Sequence, residues 1–489
     1  MQSTYCNPLP LPNYQLGRDV LRPNYAGAAF REMADPSVIR FKDRWYLFPS
    51  AGMLWYSDDL LNWTYHPIEP FDPGYAPTVV QRGDVLYLTA SWTCAAIWRA
   101  TDPLGPWERL GTFDHDLDEN PTWLKDHEGK PVRWGDPMLF VDDDGALYCY
   151  FNGDRPTTRA DHPWKLEPCH GVIFGVRLRD DDPSAFAHEP VPLINFDPSH
   201  VWERFGECNQ RTSLPVLEGP WLNKIDGRYY LQYSGCGTQF KSYALGCYVA
   251  DSPLGPFVYQ KRNPILIHRG GLVNGCAHHS MVEGPGGHLW CFYTTLVGIH
   301  SGMERRIGMD PAGLDVNGEL YVAGPTETPQ HAPGVCSEPL CGNDLGLLPL
   351  SVNCQVRASS AAPGYPPRFA VDNEIRTGWQ AASADTPQWL EANLEDEFQI
   401  SAARTIFADE GLDPRGGILP GPYRYRILAT RDCQTWEVLC DQSDNTVDRN
   451  IAYNTWPATF ARRVRLEVLS APAGMAIAVL EFTVFGAAQ

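Results

Sequence analysis

Glu32-Met33-Ala34-Asp35-Pro36-Ser37-Val38-Ile39, followed by the polar turn Lys42-Asp43 and by Trp45-Tyr46-Leu47-Phe48, decides the fold of this chain. A carboxylate ahead of proline opens an apolar strand, and an aromatic-rich strand answers it across a short turn. The same arrangement returns as Ala76-Pro77-Thr78-Val79-Val80 with Val85-Leu86-Tyr87-Leu88, and as Asp136-Pro137-Met138-Leu139-Phe140 with Ala146-Leu147-Tyr148-Cys149-Tyr150. It returns again as Glu218-Gly219-Pro220-Trp221-Leu222 with Arg228-Tyr229-Tyr230-Leu231, and in degenerate form as His278-His279-Ser280-Met281-Val282 with His288-Leu289-Trp290-Cys291-Phe292. The copies begin at 35, 76, 136, 218 and 278 and so lie 41, 60, 82 and 60 residues apart. A β-propeller blade needs about 40 to 50 residues for its four strands, and the excess is loop. Five copies predict five blades.

The innermost strand of a blade starts at the propeller axis, so the residue leading each copy is expected to point into the axial funnel. Three of the five leaders, Asp35, Asp136 and Glu218, are carboxylates. Surface acids scatter without regard to a structural repeat. Apart from a metal cage, the chemistry that uses convergent carboxylates in a concave site is acid/base hydrolysis of a glycosidic bond. Inversion needs one ionised carboxylate to deprotonate water and one protonated carboxyl for the leaving oxygen, about 6.5 to 9.5 Å apart so that water fits between them.

Residues from about 30 to 330 resemble glycoside hydrolase family 43, five-bladed propellers that include arabinofuranosidases, xylosidases and arabinanases. The resemblance rests on Ala34-Asp35-Pro36, Gly135-Asp136-Pro137 and Glu218-Gly219-Pro220, each ahead of a strand, and on Gly275-Cys276-Ala277-His278-His279-Ser280, in the family's order and spacing. It departs from the family's Gly-x-Gly-His signature at Ala277. The resemblance implies that Asp35 is the general base, Glu218 the general acid, and Asp136 the residue that orients the acid and tunes its pKa, with no cofactor required for catalysis. It implies an inverting, exo-acting enzyme on oligosaccharides or polysaccharide side chains that removes terminal furanosyl residues, α-L-arabinofuranose first. β-D-galactofuranosidase and β-D-xylosidase are the alternatives within the fold.

His278, on the axis, is either a metal ligand or a partner of inward backbone carbonyls. Arg305 or Arg306 is a donor to substrate hydroxyls or else a surface residue, and Trp92 and Trp134 stack on a sugar ring or belong to the core. Two rival classes stand beside the hydrolase. A lectin-like binder has no use for the carboxylate trio, and a sucrose-acting retaining propeller carries an Arg-Asp-Pro segment that Trp134-Gly135-Asp136-Pro137 lacks.

Composition agrees with an all-β chain: of 489 residues 12% are aromatic, and Gly and Pro number 43 each, which suits many short strands joined by tight turns. The formal net charge of −20 argues against nucleic-acid partners, which are bound through clustered Lys and Arg. No window of about 20 apolar residues is available to insert into a membrane. Met1-Gln2-Ser3-Thr4-Tyr5-Cys6 lacks the basic and apolar regions of a signal peptide, which leaves either an intracellular protein or a secreted or periplasmic one whose signal was removed. The fourteen cysteines form no Cys-x-x-Cys pair and are read as buried thiols, with a Cys433–Cys440 disulfide as the alternative.

The propeller is expected over 1–330, with a polar, loop-like insert at 154–212 walling the substrate pocket and a linker at 331–344. From 345 to 489 the strand pattern resembles the discoidin (coagulation factor 5/8 type C) β-sandwich, a jelly roll found in hydrolases as a family 32 carbohydrate-binding module. Phe369 to Trp379 heads it. In that resemblance Asp372, Thr377 and Glu481 match holders of a structural calcium, while Asn373 stands where glycine is usual. The alternative is that Asp372 and Thr377 cap a turn.

Overall fold

The computed structural model describes residues 3–17, 20, 22–50, 52–68, 74–91, 96–113, 134–153 and 171–487. Five antiparallel four-stranded sheets follow one another along the chain, each built from consecutive strands. Their innermost strands are Ser37–Phe41, Tyr75–Arg82, Trp134–Val141, Leu217–Ile225 and Ala277–Glu283. Each of these contacts its counterpart in the blades on either side, the last closing on the first, so the sheets form a ring. The inner hairpins are closed by turn chemistry. In the fourth blade Ile225 pairs with Arg228 around Asp226-Gly227, both at positive φ (50° and 77°), the two-residue turn whose twist matches that of the flanking strands.

The third blade corrects the expected insert. Val172–Arg177 and Val191–Asn195 are its third and fourth strands, paired from Gly153↔Val172 to Tyr148↔Arg177 and, with a register shift between Ile173 and Phe174, from Val172↔Asn195 to Gly175↔Val191. Val172-Ile173-Phe174 is an ordinary buried strand; the long polar runs on both sides hide its period. Beyond it, the one-turn helix Val201–Glu203 and the hairpin of Arg204–Phe205 with Arg211–Pro215 lie over the fourth blade. There Trp202 is buried across Gly246 and Gly235, and Tyr233 donates to the buried Glu203 at 2.6 Å.

Thr4–Tyr5 pairs with Gln330–His331, so the ends of the propeller are tied to one another. Asp310, fully buried, collects this closure: it accepts from Tyr293 Oη at 2.6 Å, Thr326 Oγ1 at 2.6 Å, Thr326 N at 3.0 Å, and Tyr5 Oη and Asn7 Nδ2 at 3.3 Å. The expected linker is ordered. It holds the short helix Pro339–Gly342, whose Leu340 side chain stands where a Cβ on Gly313 would be, 2.6 Å away.

The C-terminal sheet runs Leu348–Pro349, Ala478–Gly486, Gln388–Phe407, Ile451–Ser470, Arg424–Thr430, Glu437–Asp441. Two of its strands are 20 residues long and shift register at Asn393/Phe398 and Ile400/Ala402, where the sheet folds over its own core of Trp379, Leu390, Phe407, Ile427, Leu466 and Phe482. Among the described residues every cysteine is free, Cys433 and Cys440 included.

The two domains share a core. Tyr5, Leu11, Met33, Leu296 and Ile307 form one buried cluster with Ile375, Ile406, Ile451 and Leu480. Beside it Arg31, fully buried, donates to Asp409 at 2.6 and 3.1 Å and to Asp448 at 2.7 and 2.8 Å. Arg404 crosses in the other direction, donating to the carbonyls of Asn7 and Glu327 at 2.5 and 3.1 Å.

Candidate active site

The residues that open the inner strands share a backbone conformation as well as a place. Asp35, Ala76, Asp136, Gly219 and His278 all lie in the left-handed region, with φ of 54°, 47°, 48°, 55° and 37°. Four of the five are not glycine, and such strain persists only where the surrounding structure over-determines it. At this bulge the ladder skips between Tyr75 and Thr78, Gly135 and Met138, Glu218 and Trp221, and Ala277 and His279. The register corrects one expectation: Glu218 is not equivalent to Asp35 and Asp136. It pairs with Ser234 as Tyr75 pairs with Ser91 and Gly135 with Asn152, one residue earlier, and the fourth leader is Gly219. Reading from the carboxylate instead of the proline displaced that copy by one. Gly219 is small of necessity, because a Cβ there would sit 3.0 Å from the His278 ring.

What holds the leaders is a ring of hydroxyls that the sequence reading missed. Ser50 accepts from Ala76 N at 2.9 Å, Ser91 from Asp136 N at 2.6 Å, Ser234 from His278 N at 2.9 Å and Thr294 from Asp35 N at 2.9 Å. Each hydroxyl, at the end of one blade's second strand, satisfies the leading amide of the next blade, and so ties neighbouring sheets together at the axis. The signal was present: Ser stands 15 residues after the leader in three copies (Ser50 after Asp35, Ser91 after Ala76, Ser234 after Gly219), and Thr294 stands 16 after His278. Asn152 fills the remaining place; with its amide nitrogen turned to the acceptors it donates to Asp136 Oδ2 at 3.1 Å and Gly135 O at 2.8 Å.

The three carboxylates meet different surroundings. Asp35 is 2% exposed and accepts from Ser50 Oγ at 2.6 Å, with His278 Nδ1 at 3.2 Å and Arg305 Nη1 at 3.4 Å. Burial disfavours its charge, yet Arg305, His278 and the Ser50 hydroxyl together hold its pKa below the ordinary aspartate value. Glu218, half-buried, accepts from Tyr243 Oη at 2.7 Å. Its burial, with the charge of Asp136 added, pushes its pKa up to about 7 against the Tyr243 hydrogen bond. Asp136 accepts from Ser91 Oγ at 3.1 Å and from Gly219 N at 3.3 Å. One carboxyl is therefore favoured in its ionised form and another carries its proton up to about neutrality, which is the division of labour an acid/base pair requires.

His278 faces Asp35. Burial disfavours its charge, but Asp35, Asp136 and Glu218 raise its pKa above the ordinary imidazole value. Among the described residues no group of three His, Cys, Asp or Glu side chains could hold a metal ion. Arg305, at 1% exposure, is no surface residue: it donates to Glu32 at 3.1 Å through Nε and to Thr238 Oγ1 at 2.9 Å, besides Asp35, and its Nη2 also meets Glu32 and Tyr75 Oη. Arg306 points to the other side of the strand, over the Tyr14 ring, with Nη1 on the carbonyls of Arg31 and Arg305, so the structure does not bring it to the carboxylates. Trp92 lies outside the described residues, and Trp134 begins the third inner strand. Glu32, Thr238 and Tyr243 carry no repeat or motif; only the fold brings them here.

The family model of Glycosyl hydrolases family 43 matches residues 30–318, the propeller with its axial carboxylates. The chain belongs to glycosyl hydrolase family 43. It is a glycosidase, and its C-terminal domain matches the F5/8 type C domain over 355–482. The xylosidase/arabinosidase 43A of Humicola insolens is 28% identical over 304 residues, covering 53% of this glycosidase and 86% of that protein. A β-D-galactofuranosidase of Aspergillus niger is 25% identical over 247 residues, 46% of this chain and 62% of its own. A β-xylosidase of Xylanibacter ruminicola is 31% identical over 180 residues, 32% of this chain and about half, 49%, of its own length. Among solved structures a thermostable family-43 glycoside hydrolase shares the fold, with a TM-score of 0.52 at 24% identity over 68% of this chain and 99% of that one.

In the glycosidase's second domain Thr377 Oγ1 donates to both oxygens of Asp372, at 3.0 and 2.9 Å, and Glu481 accepts from Asn373 N at 3.2 Å and Thr483 Oγ1 at 3.2 Å. Glu481 is fully buried; burial, opposed by Arg404 and reinforced by Asp372, pushes its pKa up to about 8. Two carboxylates and a hydroxyl around one loop, with no cation among their hydrogen-bond partners in the described residues, are a donor set that fits a hard, oxygen-preferring ion.

Proposed function

We propose that the protein is an inverting, exo-acting glycosidase that removes terminal α-L-arabinofuranosyl residues from oligosaccharides or polysaccharide side chains. The observation that carries the chemistry is the opposed state of two carboxyls on one axis: Asp35 held ionised by Arg305, His278 and Ser50, and Glu218 held protonated near neutrality by burial beside Asp136. Asp35 deprotonates the water that attacks the anomeric carbon. Glu218 delivers its proton to the departing oxygen, and Asp136 keeps that proton on Glu218 by like-charge repulsion and orients the turn through Gly219 N. His278 and Arg305 balance the charge that Asp35 retains between turnovers.

The sugar is supported by the relatives, whose names include xylosidase/arabinosidase in three organisms, arabinoxylan arabinofuranohydrolase in Paenibacillus polymyxa and β-D-galactofuranosidase in Aspergillus niger. A pocket whose polar groups are paired by a furanose leaves some unpaired with a pyranose, which makes rejection strong. Nitrophenyl α-L-arabinofuranoside is expected to be cleaved at least about tenfold faster in kcat/KM than the β-D-xylopyranoside, roughly 1.4 kcal/mol at the transition state. Proton NMR of the first-formed sugar is expected to show the opposite anomer from the substrate. Xylopyranoside preference, or oligosaccharides released from the interior of linear arabinan, refutes the sugar and the exo action; retention of configuration refutes the role of Asp35.

In the second domain we propose a structural calcium held by Asp372, Thr377 and Glu481. Calcium added to the chelator-treated chain is expected to raise its melting temperature, by the equivalent of about 2.7 kcal/mol at a hundredfold excess over Kd, and Glu481→Gln is expected to remove the increment. A melting temperature indifferent to calcium rules the site out.

A further inference from the structure

The segment Gly237 to Tyr243 of the fourth blade touches both halves of the acid/base pair. Thr238 accepts from Arg305, the cation beside Asp35, at 2.9 Å, and Tyr243 donates to Glu218 at 2.7 Å. Between these two contacts the segment is held from the second domain. Lys241 Nζ lies 2.6 and 2.7 Å from the two oxygens of Glu374, and Glu207 bridges the same junction, accepting from Lys241 N at 3.2 Å and from Arg376 at 3.1 Å. Glu374 and Arg376 flank Ile375, which is fully buried in the core shared by the domains, so the loop that presents them is fixed against the propeller. A second connection runs the same way: Asp409 and Asp448 hold Arg31, whose neighbour Glu32 receives Arg305.

Resting on the acid/base assignment proposed above, we infer that the loop Asp372 to Thr377 of the F5/8 type C domain is part of the active-site framework, with Glu374 and Lys241 as positioning residues for the general acid through Tyr243. The lysine and its carboxylate touch neither catalytic carboxyl. The pair is partly exposed, Lys241 by 14% and Glu374 by 37%, so as an ion pair it contributes little to stability. Its effect is geometric. The Tyr243 hydroxyl favours the ionised form of Glu218, so a segment that drifts away leaves the acid harder to ionise and less well aimed.

The test compares Glu374→Gln, Lys241→Met and Lys241→Arg in the full chain, reading kcat/KM on an arabino-oligosaccharide against pH together with the melting temperature. Glu374→Gln and Lys241→Met are expected to lose about threefold to tenfold in kcat/KM at the optimum and to move the alkaline limb upward by about 0.3 to 0.5 pH unit, with Lys241→Arg retaining both. An alkaline limb that stays put in both neutralising variants, whether or not the melting temperature falls, overturns the inference. Glu218→Gln run in parallel separates the two layers. If it keeps the wild-type alkaline limb, the acid assignment fails; if it loses that limb while Glu374→Gln and Lys241→Met leave theirs unmoved, only the positioning role fails.

Discussion

Glu218→Gln and Asp35→Asn each lower kcat/KM on an unactivated arabinoside by about 10² to 10⁴-fold, the range contributed by one positioned general acid or base, without loss of fold. The two losses are expected to part company on leaving group. A nitrophenolate departs without a proton, so Glu218→Gln recovers much of its rate on the aryl glycoside, while Asp35→Asn stays slow on both because water must always be deprotonated. The pH profile gives the same division with a definite sign. Glu218 acts protonated and has its pKa near 7, so wild-type activity falls as pH rises through about 7; Asp35 acts ionised and is held below the ordinary aspartate value, so the acid limb lies below the usual carboxylate range. Fold is preserved in Asp35→Asn because Arg305 keeps Glu32, Thr238 and Tyr75 as partners. Near-normal turnover of the natural glycan by either variant overturns the acid/base pair.

The largest effect on stability is expected at Arg31. Its guanidinium is the cation between Asp409, 2% exposed, and Asp448, 18% exposed, and Arg31→Met leaves both carboxylates without it in the interface between domains. Removing one partner of a buried ion pair costs about 3 to 5 kcal/mol. At an unfolding entropy of roughly 2.1 cal/mol/K per residue, a chain of this length that melts as one unit loses about 3 to 5 °C. Arg31→Lys is expected to fall between, since an ammonium keeps the charge but cannot donate in the planar fork that meets Asp409 twice. A melting temperature unchanged within about 1 °C in Arg31→Met, or separate melting of the two domains in the unmodified chain, contradicts a shared interface of this strength.

The repeat of proline-led strands was legible because each blade repeats the same local problem: an inner strand starting at the axis, a tight turn and an aromatic return. That local sameness put Asp35 and Asp136 on the axis correctly. It failed at Glu218, where the acid precedes the bulged residue instead of occupying it, and a one-residue offset reverses the face of a strand. It failed again at Val172–Arg177, where long polar flanks masked two blade strands as part of an insert.

Periodicity and repeat are properties of neighbours along the chain, and from them alone the class of the fold, the number of blades and the place of Asp35 and Asp136 at the head of inner strands could be read. Only the tertiary structure decided how the carboxylates ionise. Arg305 lies some 270 residues from Glu32 and Asp35, Tyr243 reaches Glu218 from the segment that precedes another strand, and Arg31 reaches Asp409 from another domain. A pKa depends on the charges, donors and burial that surround a group in space, and no spacing along the chain encodes that distance.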